Sequence, residues 1–270
     1  NINVNLSESM VKQLFVVLCL VFSIHILNAQ VEKSGHKLIG ITDQAKIEEM
    51  MLVLEDIGSS SKELMREQSL KSYMMPNRKS PKSDRNNAYV VASCMEFYIN
   101  FNSNFKVNLS PDFIAIQADE SYKELLTKLV NLGTVNAAIF PYGSQFLNEA
   151  VHSTQRYQAE NYLHIFRPDI GARQKIFELR KALMRGNPVM VDIRVDKTFL
   201  NLSNTSAWEY TGTGGVSVEP IIVTGYSEEK KAFEVTGAYG NGWGRDGYAW
   251  ISYDDMGKLS ENAYVLVVQR

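Results

Sequence analysis

The C-terminal part of the sequence constrains the fold most, because it is a succession of short β-rich segments separated by turn residues. The segments are PVMVDIRV, PIIVTGY, AFEVTGAYG, YAWISY and AYVLVVQ. β-branched and aromatic residues bounded by Gly, Pro, Asn and Asp are typical of strands connected by tight turns. This part of the chain is therefore predicted to form a sheet.

Helical patterns precede these segments. In ARQKIFELRKALMRGNP, directly before the first of them, the apolar residues recur at helical spacing, and Gly186 can supply a left-handed C-terminal cap. ADESYKELLTKLVNLG has one apolar face and closes with Gly133, and TDQAKIEEMMLVLEDIG begins with a potential Thr42 cap. A mainly helical N-terminal half followed by a sheet predicts an α+β protein.

Composition limits the function classes. The chain has 270 residues, 45% of them hydrophobic, with a formal net charge of −2. These values predict a substantial core and no basic field for nucleic acid. No metal-ligand spacing or glycine-rich phosphate loop is present, so we predict no metal and no cofactor. The polar run PNRKSPKSDRNN is predicted to be a solvated loop before a helix, with a binding patch as the weaker alternative.

The first residues resemble a secretory signal peptide. A single Lys12 precedes the apolar run LFVVLCLVFSIHIL, so residues 1–30 are predicted to be a signal, with Met10 as the alternative start. The run is shorter than the ~20 residues of a membrane span, so no integral span is expected after signal removal. A retained anchor is the alternative. The protein is thus predicted to be secreted, periplasmic or on the cell surface, with Cys94 as its only cysteine once Cys19 is removed.

Several segments, in order, resemble papain-like cysteine peptidases. The stretch from Glu219 to Asp255 is similar to the family's HAVxxVGY strand and NSWGxxWGxxGY segment. SCMEFYINF resembles the segment that opens the family's central helix, and LSPDFIAIQ, FPYG and LRKALMRGNPVMVDI resemble further family blocks. The resemblance runs from about Ser69 to the end of the chain.

The resemblance implies a fold and a domain organisation. It predicts a papain-like fold of two lobes, a helical N-terminal lobe and an antiparallel β-barrel-like C-terminal lobe with a cleft between them. Residues 69–270 would form the peptidase domain. Residues 31–68 would form an N-terminal helical extension, with an abbreviated inhibitory pro-segment as the alternative.

The same resemblance places the family nucleophile at Cys94, which would lie just before the central helix. There the helix dipole would favour the thiolate. Burial preference alone favours a different interpretation, a small structural residue in the core.

The remaining catalytic positions depart from the family. The family histidine falls on Glu219, the asparagine that orients it falls on Gly237, and the oxyanion-hole glutamine falls on Ala88. A carboxylate near a thiol disfavours the thiolate, and a methyl group cannot donate a hydrogen bond. Neighbouring Asn86 or Asn87 could replace that glutamine only if the loop shifts. Tyr239 and Trp243 are expected in the cleft wall.

Three functional hypotheses follow. The first is a secreted, non-catalytic pseudopeptidase whose cleft holds a peptide or protein segment. The second is a working cysteine peptidase or acyl transferase that uses Cys94 with a displaced base; His152 and His164 are the available imidazoles, and neither lies in a catalytic block. The third is a structural unit with a filled cleft.

Overall fold

We analysed a computed structural model of the chain. The structure describes residues 38–61, 65–101, 103, 105–116 and 121–269, so the predicted signal peptide lies outside the described residues. Ile39–Arg270 form one compact unit. Of the helices in the described ranges, none is long and apolar enough to cross a membrane.

Eight strands of the described chain form one sheet. The strands are β1 (Glu67–Ser69), β2 (Asn161–Phe166), β3 (Val189–Asp196), β4 (Ala207–Trp208), β5 (Val216–Ser227), β6 (Ala232–Gly237), β7 (Tyr248–Ser252) and β8 (Ser260–Val267). Their order in the sheet is β2-β8-β3-β5-β6-β7-β4, and β1 pairs with β5 outside this path. The ladders are antiparallel apart from the parallel β4–β7 pair. The predicted sheet is confirmed.

Helices pack around this sheet. They are α1 (Gln44–Met50), α2 (Asn86–Phe101), α3 (Pro111–Ala115), α4 (Tyr122–Asn131), α5 (Ala172–Met184), α6 (Lys197–Leu200) and α7 (Tyr253–Leu259). The predicted helices α4 and α5 are confirmed, and Gly133 and Gly186 follow them with left-handed φ angles of 69° and 89°. The predicted α+β class is therefore correct.

The first helix differs from its prediction. It ends at Met50, and its cap is Asp43, which accepts a hydrogen bond from the Lys46 amide, rather than Thr42. The chain after it docks on the end of α5 and on the turn that follows. The Ser59 amide donates to the Met184 carbonyl at 2.8 Å, and Asn187 Nδ2 donates to the Leu52 carbonyl at 2.7 Å. Glu48 forms ion pairs with Lys181 and Arg185. The described part of the predicted helical extension is thus one short helix, irregular chain fixed to the domain, and the first two residues of β1.

The central helix α2 begins earlier than the sequence resemblance predicted. It starts at Asn86, directly after a 3-10 turn over Ser83–Arg85, rather than near Ser93. Most of its residues are buried, because it packs against β3, β5 and β6 on one side and against α3 and α4 on the other. The predicted start of the helix was wrong by about two turns.

The polar run before α2 is anchored rather than fully solvated. Arg78 forms a bidentate ion pair with Glu96 of α2, at 2.6 Å between Nη2 and Oε2, and the Glu96 side chain is fully buried. Glu96 also accepts a hydrogen bond from the Leu109 amide at 2.6 Å. Farther along, Arg85 pairs with the buried Asp112 of α3. Buried charge pairs therefore fix this loop to the helices.

Replacing Glu96 is expected to destabilise the protein strongly. Glu96→Gln leaves the Arg78 guanidinium partly buried without a counter-charge, and breaking such a pair costs about 3–5 kcal/mol. Urea unfolding should show this loss. Asp169→Asn, which removes the exposed Arg167–Asp169 pair, is the matched control and should change stability far less. Equal effects of the two variants would contradict this role for Glu96.

Candidate functional site

An open groove of about 740 Å³ lies between the start of α2 and the sheet. Residues 79–83 and Asn86 line one side of it. Residues 200–203, Glu219 of β5 and residues 238–243 line the other. The groove thus lies where the resemblance predicted a cleft between a helical and a β-rich part.

Glu219 connects the two sides of the groove. Its Oε2 atom accepts a hydrogen bond from Asn86 Nδ2 at 3.4 Å and one from the Tyr239 hydroxyl at 3.2 Å. Its Oε1 atom accepts from the Ser217 hydroxyl at 3.2 Å. These three neutral groups hydrogen-bond both oxygens of the carboxylate. Among the described residues, no imidazole or thiol contacts it.

Gly237 makes room for Tyr239. A Cβ atom at Gly237 would lie 2.5 Å from Cε2 of the Tyr239 ring, so the space of the missing side chain is already filled. Burial raises the pKa of Tyr239, and the Glu219 carboxylate raises it further. The hydroxyl therefore stays protonated and donates to Glu219. An asparagine at position 237 would displace this ring.

Trp243 forms part of an aromatic wall. Its ring lies 4.9 Å from Phe199 and 5.1 Å from Tyr239, and its Nε1 donates to the Phe199 carbonyl at 2.6 Å. The hydrogen bond fixes the indole while one side of the cluster faces the groove. Both residues expected in the cleft wall line the groove.

Cys94 does not lie at the groove. It is inside α2 with no exposed surface, and it is not among the groove-lining residues. Burial raises the pKa of the thiol, which disfavours the thiolate. The expectation that Cys94 precedes the helix and faces Glu219 was wrong, because the helix starts at Asn86. Asn86 therefore occupies the position at the helix start that the resemblance gives to a nucleophile.

The oxyanion position shifts with the helix start. Ala88 is buried within α2 and away from the groove. The family spacing of six residues, counted back from Asn86, leads to Ser80. The Ser80 hydroxyl donates to the Lys82 carbonyl at 2.7 Å, and its amide donates to the Ala238 carbonyl at 2.9 Å. Both donors are thus committed to holding the loop.

Neither candidate histidine lies at the groove. His152 is on a 3-10 turn, and His164 is on β2, where its ring stacks on Tyr264 at 4.6 Å. His164 Nε2 lies 3.1 Å from Asn262 Oδ1, and burial lowers the His164 pKa. No set of three or more His, Cys, Asp or Glu side chains suited to a metal occurs in the described ranges.

The chain resembles solved structures of cysteine proteases in fold. A cysteine protease from Xylella fastidiosa, xylellain, aligns with a TM-score of 0.60 over 85% of this chain and 95% of its own. The fold is that of papain-like cysteine proteases. Procathepsin L 3 of Tenebrio molitor aligns over 98% of this chain and 94% of its own, also at 0.60. Sequence identities are 19% and 14%, so the likeness establishes the papain-like fold and not the activity.

Comparisons of the sequence do not assign the chain to a family. No family model matches the chain. The gamete and mating-type specific protein A of Dictyostelium discoideum is 26% identical over 117 residues, which are 42% of this chain. The match spans 23% of that protein's length.

Sequence reasoning missed the role of Asn86 at the groove. The two asparagines before the apolar stretch looked like loop residues, since Asn disfavours helix interiors.

The thiol of Cys94 is expected to react very slowly in the folded protein. The measurement uses a Cys19→Ser background, so that Cys94 is the only thiol. A disulfide reagent at neutral pH reaches the buried Cys94 only when the structure around it opens locally. An opening that costs ~3 kcal/mol slows the reaction roughly 100-fold relative to the unfolded chain. The rate in buffer is compared with the rate in denaturing urea, and Cys94→Ala provides the blank. Rapid reaction in buffer would contradict the buried position.

Proposed function

We propose that the protein is a secreted pseudopeptidase, which uses a papain-like groove to hold a peptide or protein segment without cutting it. The observation that carries this proposal is the hydrogen bond between Asn86 and Glu219. At the helix start and on the facing strand, where catalysis needs a nucleophile and a base, an amide faces a carboxylate.

The side chains at the groove argue against covalent catalysis. The Asn86 amide is not a nucleophile, and the one thiol in the described chain is buried within α2. Burial of Cys94 also argues against the alternative of a peptidase or acyl transferase that uses this residue with a displaced base. Glu219 and Tyr239 can orient a ligand by hydrogen bonds, but they provide no activated attacking atom.

The form of the groove argues against a purely structural unit. It remains open, with Gly240, Asn241 and Gly242 contributing backbone along one rim and Trp243 contributing an aromatic surface. Backbone N–H and C=O groups next to apolar side chains are suited to extended peptides. A filled groove would leave no such surface.

A side chain at Gly242 is expected to block ligand binding without unfolding the protein. A Cβ at Gly242 meets no atom within 4 Å, so Gly242→Phe should fold and place a ring in the groove. Peptides selected from a random display library against the natural protein should bind this variant at least roughly tenfold more weakly, as measured by fluorescence anisotropy.

Gly171→Phe is the matched control, because Gly171 also has free space around it but caps α5 away from the groove. It should leave binding unchanged, as should Cys94→Ala. If no peptides are selected, or if both Phe variants bind them equally, the groove is not a peptide site.

Installing a thiol and an imidazole at the groove should create a reactive pair. The 3.4 Å contact between Asn86 and Glu219 predicts that Asn86→Cys with Glu219→His brings sulfur and imidazole together. Alkylation by an epoxide peptide at neutral pH should be roughly tenfold or more faster than in Asn86→Cys alone. The natural protein should neither react nor cleave peptides. Cleavage by the natural protein that is lost in Cys94→Ala would refute the proposed function.

A further inference from the structure

We infer that the groove selects acidic peptide segments, through Lys79 and Lys82 on its rim. This inference rests on the proposed function and specifies the class of ligand. Both lysines line the groove, and neither forms an ion pair with a described residue. A ligand carboxylate would give them a partner.

The backbone holds both lysines in place. Lys79 pairs with Tyr239 in an isolated antiparallel bridge, and the Ser80 amide donates to the Ala238 carbonyl. Gly240 has a φ of 77°, and a Cβ there would lie 3.0 Å from Lys79 Cβ, so the glycine lets the lysine stem pack closely. The Lys82 carbonyl accepts hydrogen bonds from Ser80 Oγ and the Arg85 amide. The backbone that carries the two lysines is thus fixed, and less ordering of the backbone is needed on binding.

The charge of the groove favours an acidic ligand. Among the described residues that line the groove, two are lysines and one is acidic, Glu219. Three neutral donors already satisfy Glu219, from Asn86, Ser217 and Tyr239, so the carboxylate does not pair with either lysine. The start of α2 adds the positive end of a helix dipole on the same side.

Apolar surface next to the lysines indicates that the ligand is more than a small anion. Leu202 and the Tyr239 and Trp243 rings line the groove beside the charged rim. A peptide with an acidic residue near an apolar or aromatic one would contact both surfaces. Charged groups at a rim mainly determine which partner binds, while apolar burial provides most of the affinity.

The test compares two matched sets of fluorescein-labelled short peptides, identical except that Asp and Glu in one set are Asn and Gln in the other. The natural protein should bind the acidic set roughly threefold to tenfold more tightly, the range expected for two rim ion pairs. The preference should weaken between low and physiological salt. Lys79→Gln with Lys82→Gln should abolish it. The control Lys46→Gln, on α1 away from the groove, should retain it.

The outcomes separate the two proposals. If both sets bind equally and the lysine variants bind as the natural protein does, selection of acidic segments is refuted, while binding that Gly242→Phe blocks still supports the pseudopeptidase. If neither set binds, or if Gly242→Phe binds as well as the natural protein, the proposed function fails as well. An acidic preference that survives Lys79→Gln with Lys82→Gln would refute the assignment to these residues.

Discussion

The buried ion pair between Arg78 and Glu96 is the interaction on which the groove depends. It joins the loop that forms one rim of the groove to the central helix α2. Glu96 also accepts a hydrogen bond from the Leu109 backbone amide, which fixes the segment around Leu109. Burying two charges is costly, and the cost is offset here because both Glu96 oxygens are hydrogen-bonded. A rim held by mobile polar residues could not keep Lys79 and Ser80 against the sheet.

The groove residues form a set in which neighbouring side chains fit one another. Gly237 leaves the space that the Tyr239 ring fills, and that ring places its hydroxyl on Glu219. Glu219 in turn accepts the amide of Asn86 from the opposite side. A side chain at position 237 would clash with the Tyr239 ring. A histidine at position 219 would remove the carboxylate that accepts from Asn86 and Tyr239. The arrangement favours a static, hydrogen-bonded surface over a reactive one.

The local sequence pattern was insufficient to predict where helix α2 begins. α2 is buried on nearly all sides, so its apolar residues show little of the one-sided periodicity that locates a surface helix. Asn86 and Asn87 have low helix propensity, and the single downstream cysteine resembled a nucleophile. Packing against β5 and α4 stabilises the helix from Asn86 onward, and tertiary packing routinely overrides propensity.

The sequence by itself determined the α+β class, the strands β3, β5, β6, β7 and β8, the helices α4 and α5, and the departure of Glu219 and Gly237 from the family pattern. It did not predict β1, β2 or β4. These features depend on residue spacing and turn residues, which act over a few neighbours. The tertiary structure alone decided that Cys94 is buried, that Asn86 faces Glu219, and that Tyr239 fills the space beside Gly237. Those relations join residues far apart in the chain, and only the packing of α2 against the sheet brings them within contact.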